Sequence, residues 1–249
     1  MPAAFLFSAP LSDALFLALT LASVYLMRKR QYPFASIVGF FAALTRAPGI
    51  LIAVPLCFEL VGNVVREYKE NHKNHHWWIR QIKDVLFLLL IPCGFLLYLH
   101  LNFVVTGNAL TFLTYQRAHW HQRPGWFFVT VNTQMDNLLE NLSLGGNLRL
   151  AIGLWMPNLV YIITSLGLVT VAQTRMRASY IAYFIAYFLV CVGATWLLSA
   201  PRYLTACFPL ALALGVLTEK REVDGLVTIL CVGLMLAYLA AYVHQWYVY

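Results

Sequence analysis

Leu44-Thr45-Arg46-Ala47-Pro48-Gly49 links two apolar runs, residues 34–45 before it and 50–62 after it. Pro48 lacks a backbone donor and disfavours helix at Ala47, so the incoming helix stops here. Gly49 allows the backbone to turn. The outer ends of the pair, Arg28-Lys29-Arg30 and Arg66 to Lys83, are basic, which predicts that both face the cytoplasm. The link then sits at the opposite membrane face, with Arg46 at the tip of a short, bent hairpin.

The rest of the chain extends that pattern. Of its 249 residues 61% are hydrophobic and only 11% charged, with mean hydropathy +0.71, whereas soluble domains hold about 45–50% apolar and about 25% charged residues. This predicts an all-α polytopic membrane protein forming one transmembrane domain over 1–249. The expected spans are 11–27, 34–46, 50–65, 85–105, 150–172, 180–198, 203–218 and 226–243, eight apolar segments in all. Residues 66–84 read as a cytoplasmic loop, with an amphipathic stretch at Trp77-Trp78-Ile79 lying in the interface. Residues 106–148 read as a long outer loop. With the hairpin tip outside, 12 of the 17 basic residues fall on the cytoplasmic side, among them Lys73. Arg46, Arg117, Arg123, Arg149 and Arg202 remain outside.

Several function classes drop out. The net charge of +7 lies in short loops between apolar runs, which fits topology and not nucleic-acid binding. The five cysteines show no metal or disulfide spacing and read as small buried hydrophobes. Met1-Pro2-Ala3-Ala4 carries no basic leader, so no signal peptide is expected. Pro10 introduces the first span, where Asp13 suits the positive end of the helix dipole.

The outer polar residues are the candidates for chemistry. Arg46 is either a snorkelling side chain at a helix end or a functional intramembrane charge. Pro201 as a first helical residue places Arg202 where the dipole disfavours a cation, which calls for an anion nearby, and a lipid phosphate is the obvious one. The stretch from Tyr115 through Gln116, Arg117, His119 and Trp120 to Pro124 and Trp126 joins aromatic faces to amide, imidazole and guanidinium donors. That combination suits a sugar; an interfacial aromatic belt is the alternative, and the density of Gln, Arg and His goes beyond what a belt alone requires. His119 and His121 would share one side of an extended strand, a weak metal signal, while His72, His75 and His76 read as a solvated cytoplasmic face. The outer carboxylates are Asp13, Asp136 and Glu140, the last two at i,i+4 spacing on a short solvated helix; Asp13 is the candidate base, with helix capping as its simpler role.

Three stretches resemble motifs of a known family. Ser8-Ala9-Pro10-Leu11-Ser12-Asp13-Ala14-Leu15-Phe16, Ala42-Ala43-Leu44-Thr45-Arg46-Ala47-Pro48-Gly49, and Ser199-Ala200-Pro201-Arg202-Tyr203-Leu204 with Phe208-Pro209-Leu210 resemble motifs of the PIG-V (GPI mannosyltransferase 2) family and its bacterial relatives. The segment around Gln116-Arg117-Ala118-His119-Trp120 is similar to a fourth element, less closely. Leu11 stands where the family usually has Tyr, and Asp13 where it has Glu. The resemblance implies a GT-C glycosyltransferase helix bundle that moves a sugar, typically mannose, by inversion from a polyprenyl phosphate of the dolichyl-phosphate-mannose kind. Transfer would be to a lipid or glycan acceptor on the non-cytoplasmic face, without cofactor or metal. It implies donor phosphate and sugar contacts from Arg46, Arg202, Tyr203, Gln116, Arg117, His119 and Trp120. It also implies an N-terminally truncated enzyme, its main acidic base outside this chain. The compact loops favour a bacterial plasma membrane over the endoplasmic reticulum. A transporter or flippase, and a non-catalytic membrane subunit, are the alternative readings.

Overall fold

The structure, a computed structural model, describes residues 1–9, 11–71, 74–123, 125–194 and 197–248, without the side chains of 69–71. Pro10, His72, Lys73 and Pro124, named above, lie outside the described residues. The described residues form helices and no strand: α1 (Asp13–Arg28), α2 (Tyr32–Thr45), α3 (Ala53–Asn71), α4 (His75–Leu88), α5 (Leu90–Thr106), α6 (Thr111–Trp120), α7 (Phe127–Leu142), α8 (Leu148–Leu150), α9 (Met156–Ala172), α10 (Ala178–Val192), α11 (Ala200–Thr205), α12 (Phe208–Leu217) and α13 (Arg221–Val243). Among the described residues four stretches are long and apolar enough to cross a membrane: Ala47–Tyr68, His75–Thr106, Leu148–Arg175 and Arg221–Val243.

Prolines set the breaks. Each removes the N–H that its carbonyl partner four residues upstream would accept. Pro92 thus faces Leu88, the last residue of α4; Pro209 faces Thr205, the last residue of α11; Pro157 faces Gly153, inside the π-helical stretch Ala151–Trp155. The expected single span over 203–218 is therefore two short helices parted at Ala206 and Cys207, and Pro201 is the second residue of α11, not the first.

The chain divides into two compact units, 14–112 with 178–186, and 1–13 with 113–177 and 187–249. In the first, α2 ends at Thr45, Arg46 is extended (φ −150°, ψ 141°), and a 3-10 turn covers Ala47–Ile52, as the proline demands. Gly49 serves differently from the expectation. Its φ is not left-handed; instead a Cβ there would overlap the Ala42 carbonyl, so glycine lets the 3-10 turn fold back on α2. Gly94 does the same where α5 meets the Phe40 carbonyl of α2. The stretch 66–84 is helix rather than loop over Arg66–Asn71 and again from His75. Its charges mark helix ends and do not break them: Arg30 pairs with Glu67, which also accepts from Trp77 Nε1 at 3.2 Å.

In the second unit, α9 packs against α11 and α12, and α7 packs against the π-helical stretch. The expected outer loop 106–148 holds two helices, α6 and α7. His119 lies on α6 with its ring stacked on Tyr115, centroids 5.4 Å apart, so the extended-strand reading of His119 and His121 does not hold. No described residue of α13 is buried.

Candidate functional site

Asp13 is the first residue of α1, where the exposed N–H groups of a helix attract a carboxylate. The chain is delivered there by a 3-10 turn, Ala4–Ser8, that is fastened at several points. Ala3 N–H donates to the Tyr161 hydroxyl at 2.8 Å, and the Phe5 ring packs against Tyr238 and Tyr242 with centroids 5.8 and 5.7 Å away.

Arg202 arrives from the other end of the sequence through a more elaborate brace. Gly125 N–H donates to the Gly193 carbonyl at 2.7 Å, and Thr130 Oγ1 to Ala194 at 3.2 Å. The side-chain amides of Gln134 and Asn158 both donate to the Leu197 carbonyl, the latter at 2.9 Å. Asn158 also donates to Gln134 Oε1 at 3.2 Å, while its Oδ1 accepts the Ala200 N–H at 3.0 Å. Thr130 and Gln134 are fully enclosed and Asn158 nearly so. These amides hold the chain at its entry to α11, whose Ala200, Pro201, Leu204 and Thr205 are buried. Arg202 and Tyr203 are its half-buried residues, and Tyr187 donates its hydroxyl to the Tyr203 carbonyl at 3.2 Å.

The two ends meet in an ion pair. Arg202 Nε donates to Asp13 Oδ2 at 2.7 Å, across 189 residues of sequence. The Asp13 side chain is 1% exposed and that of Arg202 23%. The anion called for by a cation early in a helix is therefore, first of all, the protein's own carboxylate. Among the described residues neither Nη group of Arg202 makes a hydrogen bond. A guanidinium held through Nε keeps its two-Nη edge in a fixed plane, a geometry that fits two oxygens of a phosphate. Asp13 is badly placed for proton abstraction, because its carboxylate is enclosed and already accepts from Arg202.

The other expected site residues are distributed elsewhere. Arg46 belongs to the first unit, its guanidinium over the buried Phe16 ring at 5.7 Å. Gln116 is half-buried on α6, while Arg117, His119 and Trp120 are exposed there. Asp136 and Glu140 are exposed on α7. Sequence reasoning missed the brace of Thr130, Gln134 and Asn158. A lone amide within the apolar run 150–172 was the available signal for Asn158. Comparison with protein-family models, with curated proteins and with solved structures gives no match for this chain.

Proposed function

We propose that this chain is a polytopic membrane glycosyltransferase of the GT-C kind, with eight apolar segments. It moves a hexose, mannose by the motif resemblance, from a polyprenyl phosphate to a lipid or glycan acceptor at the non-cytoplasmic face. The observation that carries this reading is the Arg202–Asp13 pair, which joins the first and last of the three resembling stretches. In transfer with inversion, the acceptor oxygen forms a bond to the sugar's anomeric carbon as that carbon's bond to the phosphate oxygen breaks. Negative charge then grows on the departing lipid phosphate, and a guanidinium edge fixed in advance stabilises it. Asp13 is the positioning residue for that edge. Arg46 is assigned a donor contact from its motif, and no residue of this chain is assigned as the base that takes the acceptor proton.

Membrane residence draws support from the four long apolar stretches among the described residues; in the last of them, α13, large apolar side chains such as Leu226 and Ile229 are 70% and 72% exposed. The compact loops favour a bacterial plasma membrane. The test is sugar transfer by the purified, reconstituted chain from labelled polyprenyl-phosphate mannose to a membrane lipid extract. Arg202→Ala should reduce transfer at least 100-fold while the protein remains monodisperse; undiminished transfer by that variant would sink the reading.

One observation favours a second reading, a transporter. Transporter sites are built on interrupted helices in both halves of a chain, and each unit here has one, at Arg46–Ile52 and at Ala206–Cys207. Uptake of the intact donor into proteoliposomes without transfer would establish it.

A further inference from the structure

Between α6 and α7 the backbone is anchored on either side of Pro124. Gln122 N–H closes the end of α6 on the Gln116 carbonyl at 3.1 Å. His121 there takes a left-handed φ of 50°, in the place a glycine ordinarily fills. Gly125 is then tied to Gly193, and the Phe127 ring packs edge-on against buried Phe188, centroids 6.0 Å apart. With Phe127 turned inward, its neighbours Trp126 and Phe128 face out, 67% and 53% exposed. Their rings lie within 6° of parallel with centroids 6.3 Å apart, a stacked aromatic pair beside the anchored Gly125.

The surroundings separate this pair from ordinary lipid-facing surface. Helix α13 exposes large apolar side chains too, but no charged residue occurs between Leu226 and Val243. Here, instead, the eight residues running up to Pro124 include Gln116, Arg117, His119, His121, Gln122 and Arg123. A pyranose presents an apolar C–H face and a rim of hydroxyls. Aromatic faces match the first, and the amide, imidazole and guanidinium groups that precede them in sequence are donors for the second.

We infer that Trp126 and Phe128 form a stacking platform for a pyranose unit of a glycan acceptor. The word acceptor rests on the glycosyltransfer reading; sugar binding at the platform does not require transfer to occur. The test uses the chain in phosphatidylcholine nanodiscs with mannotriose and cellotriose as probes, followed by saturation-transfer NMR. At least one probe should receive saturation at its ring C–H protons. The signal should fall at least fivefold in Trp126→Ala and in Phe128→Ala, persist in Trp126→Phe, and be untouched by Leu226→Ala on α13. Absence of binding to the unaltered chain, or equal binding by Trp126→Ala, overturns the inference. So does strong quenching of Trp126 fluorescence, taken as the difference from Trp126→Phe, when the nanodisc lipids are brominated, because the ring would then sit among acyl chains. Failure of sugar transfer with platform binding intact removes the transferase reading and leaves the platform standing.

Discussion

Arg202 and Arg46 stand in similar settings, each beside a proline at an interrupted helix, yet they are held by different chemistry. Arg202 is clamped by a buried carboxylate at 2.7 Å; Arg46 lies over an aromatic face at 5.7 Å. A carboxylate fixes one nitrogen of a guanidinium and so the direction of its open edge. A ring fixes the plane's distance and leaves more freedom within it. The contrast predicts that loss of the partner costs far more at Arg202 than at Arg46.

The largest effect should come from Asp13→Asn, which strands a mostly enclosed cation and should cost about 3–5 kcal/mol. Chemical denaturation in detergent measures it, and the double change Asp13→Asn with Arg202→Met should recover most of the loss. No recovery would mean that the pair is not the interaction being broken. Next comes the brace. Asn158→Leu leaves the Ala200 N–H without its acceptor and should cost about 1–3 kcal/mol, with faster amide exchange over 197–202 as the local readout. A global loss without that local signature would place the effect elsewhere. On the ring side, Phe16→Leu should cost about 1–2 kcal/mol, combining lost packing with the cation–π contribution. If it matched Asp13→Asn, the contrast between the two arginines would collapse. Smallest of all, Arg175→Ala breaks a pair to Glu219 whose side chains are 61% and 71% exposed. It should shift stability by less than about 1 kcal/mol and by less still in high salt.

Local backbone chemistry was the legible part. Pro48 ends a helix where its missing donor says it must, and Asp13 opens one. The sequence also showed that Arg202 needs an anion, but not which one. Nothing in composition or spacing connects two residues 189 positions apart. In 66–84 the charge density reads as loop, whereas Arg66 and Glu67 decorate the end of α3, and the amphipathic Trp77-Trp78-Ile79 stretch is part of α4. In 106–148 the i,i+4 spacing of Asp136 and Glu140 points to a short helix, whereas α7 runs over all of Phe127–Leu142. Thr130 and Gln134 lie buried on the inward face of α7. Those two residues brace the site, a role that helix periodicity alone does not reveal.

The span of the Asp13–Arg202 pair sets a timetable for biosynthesis. At roughly 5–20 residues per second, a ribosome needs about 10–40 s to extend the chain from one partner to the other. Throughout that interval the carboxylate at the head of α1 is without the Arg202 guanidinium that it accepts from in the folded chain. The nascent protein must therefore carry this acid, without its final clamp, until α11 has been made.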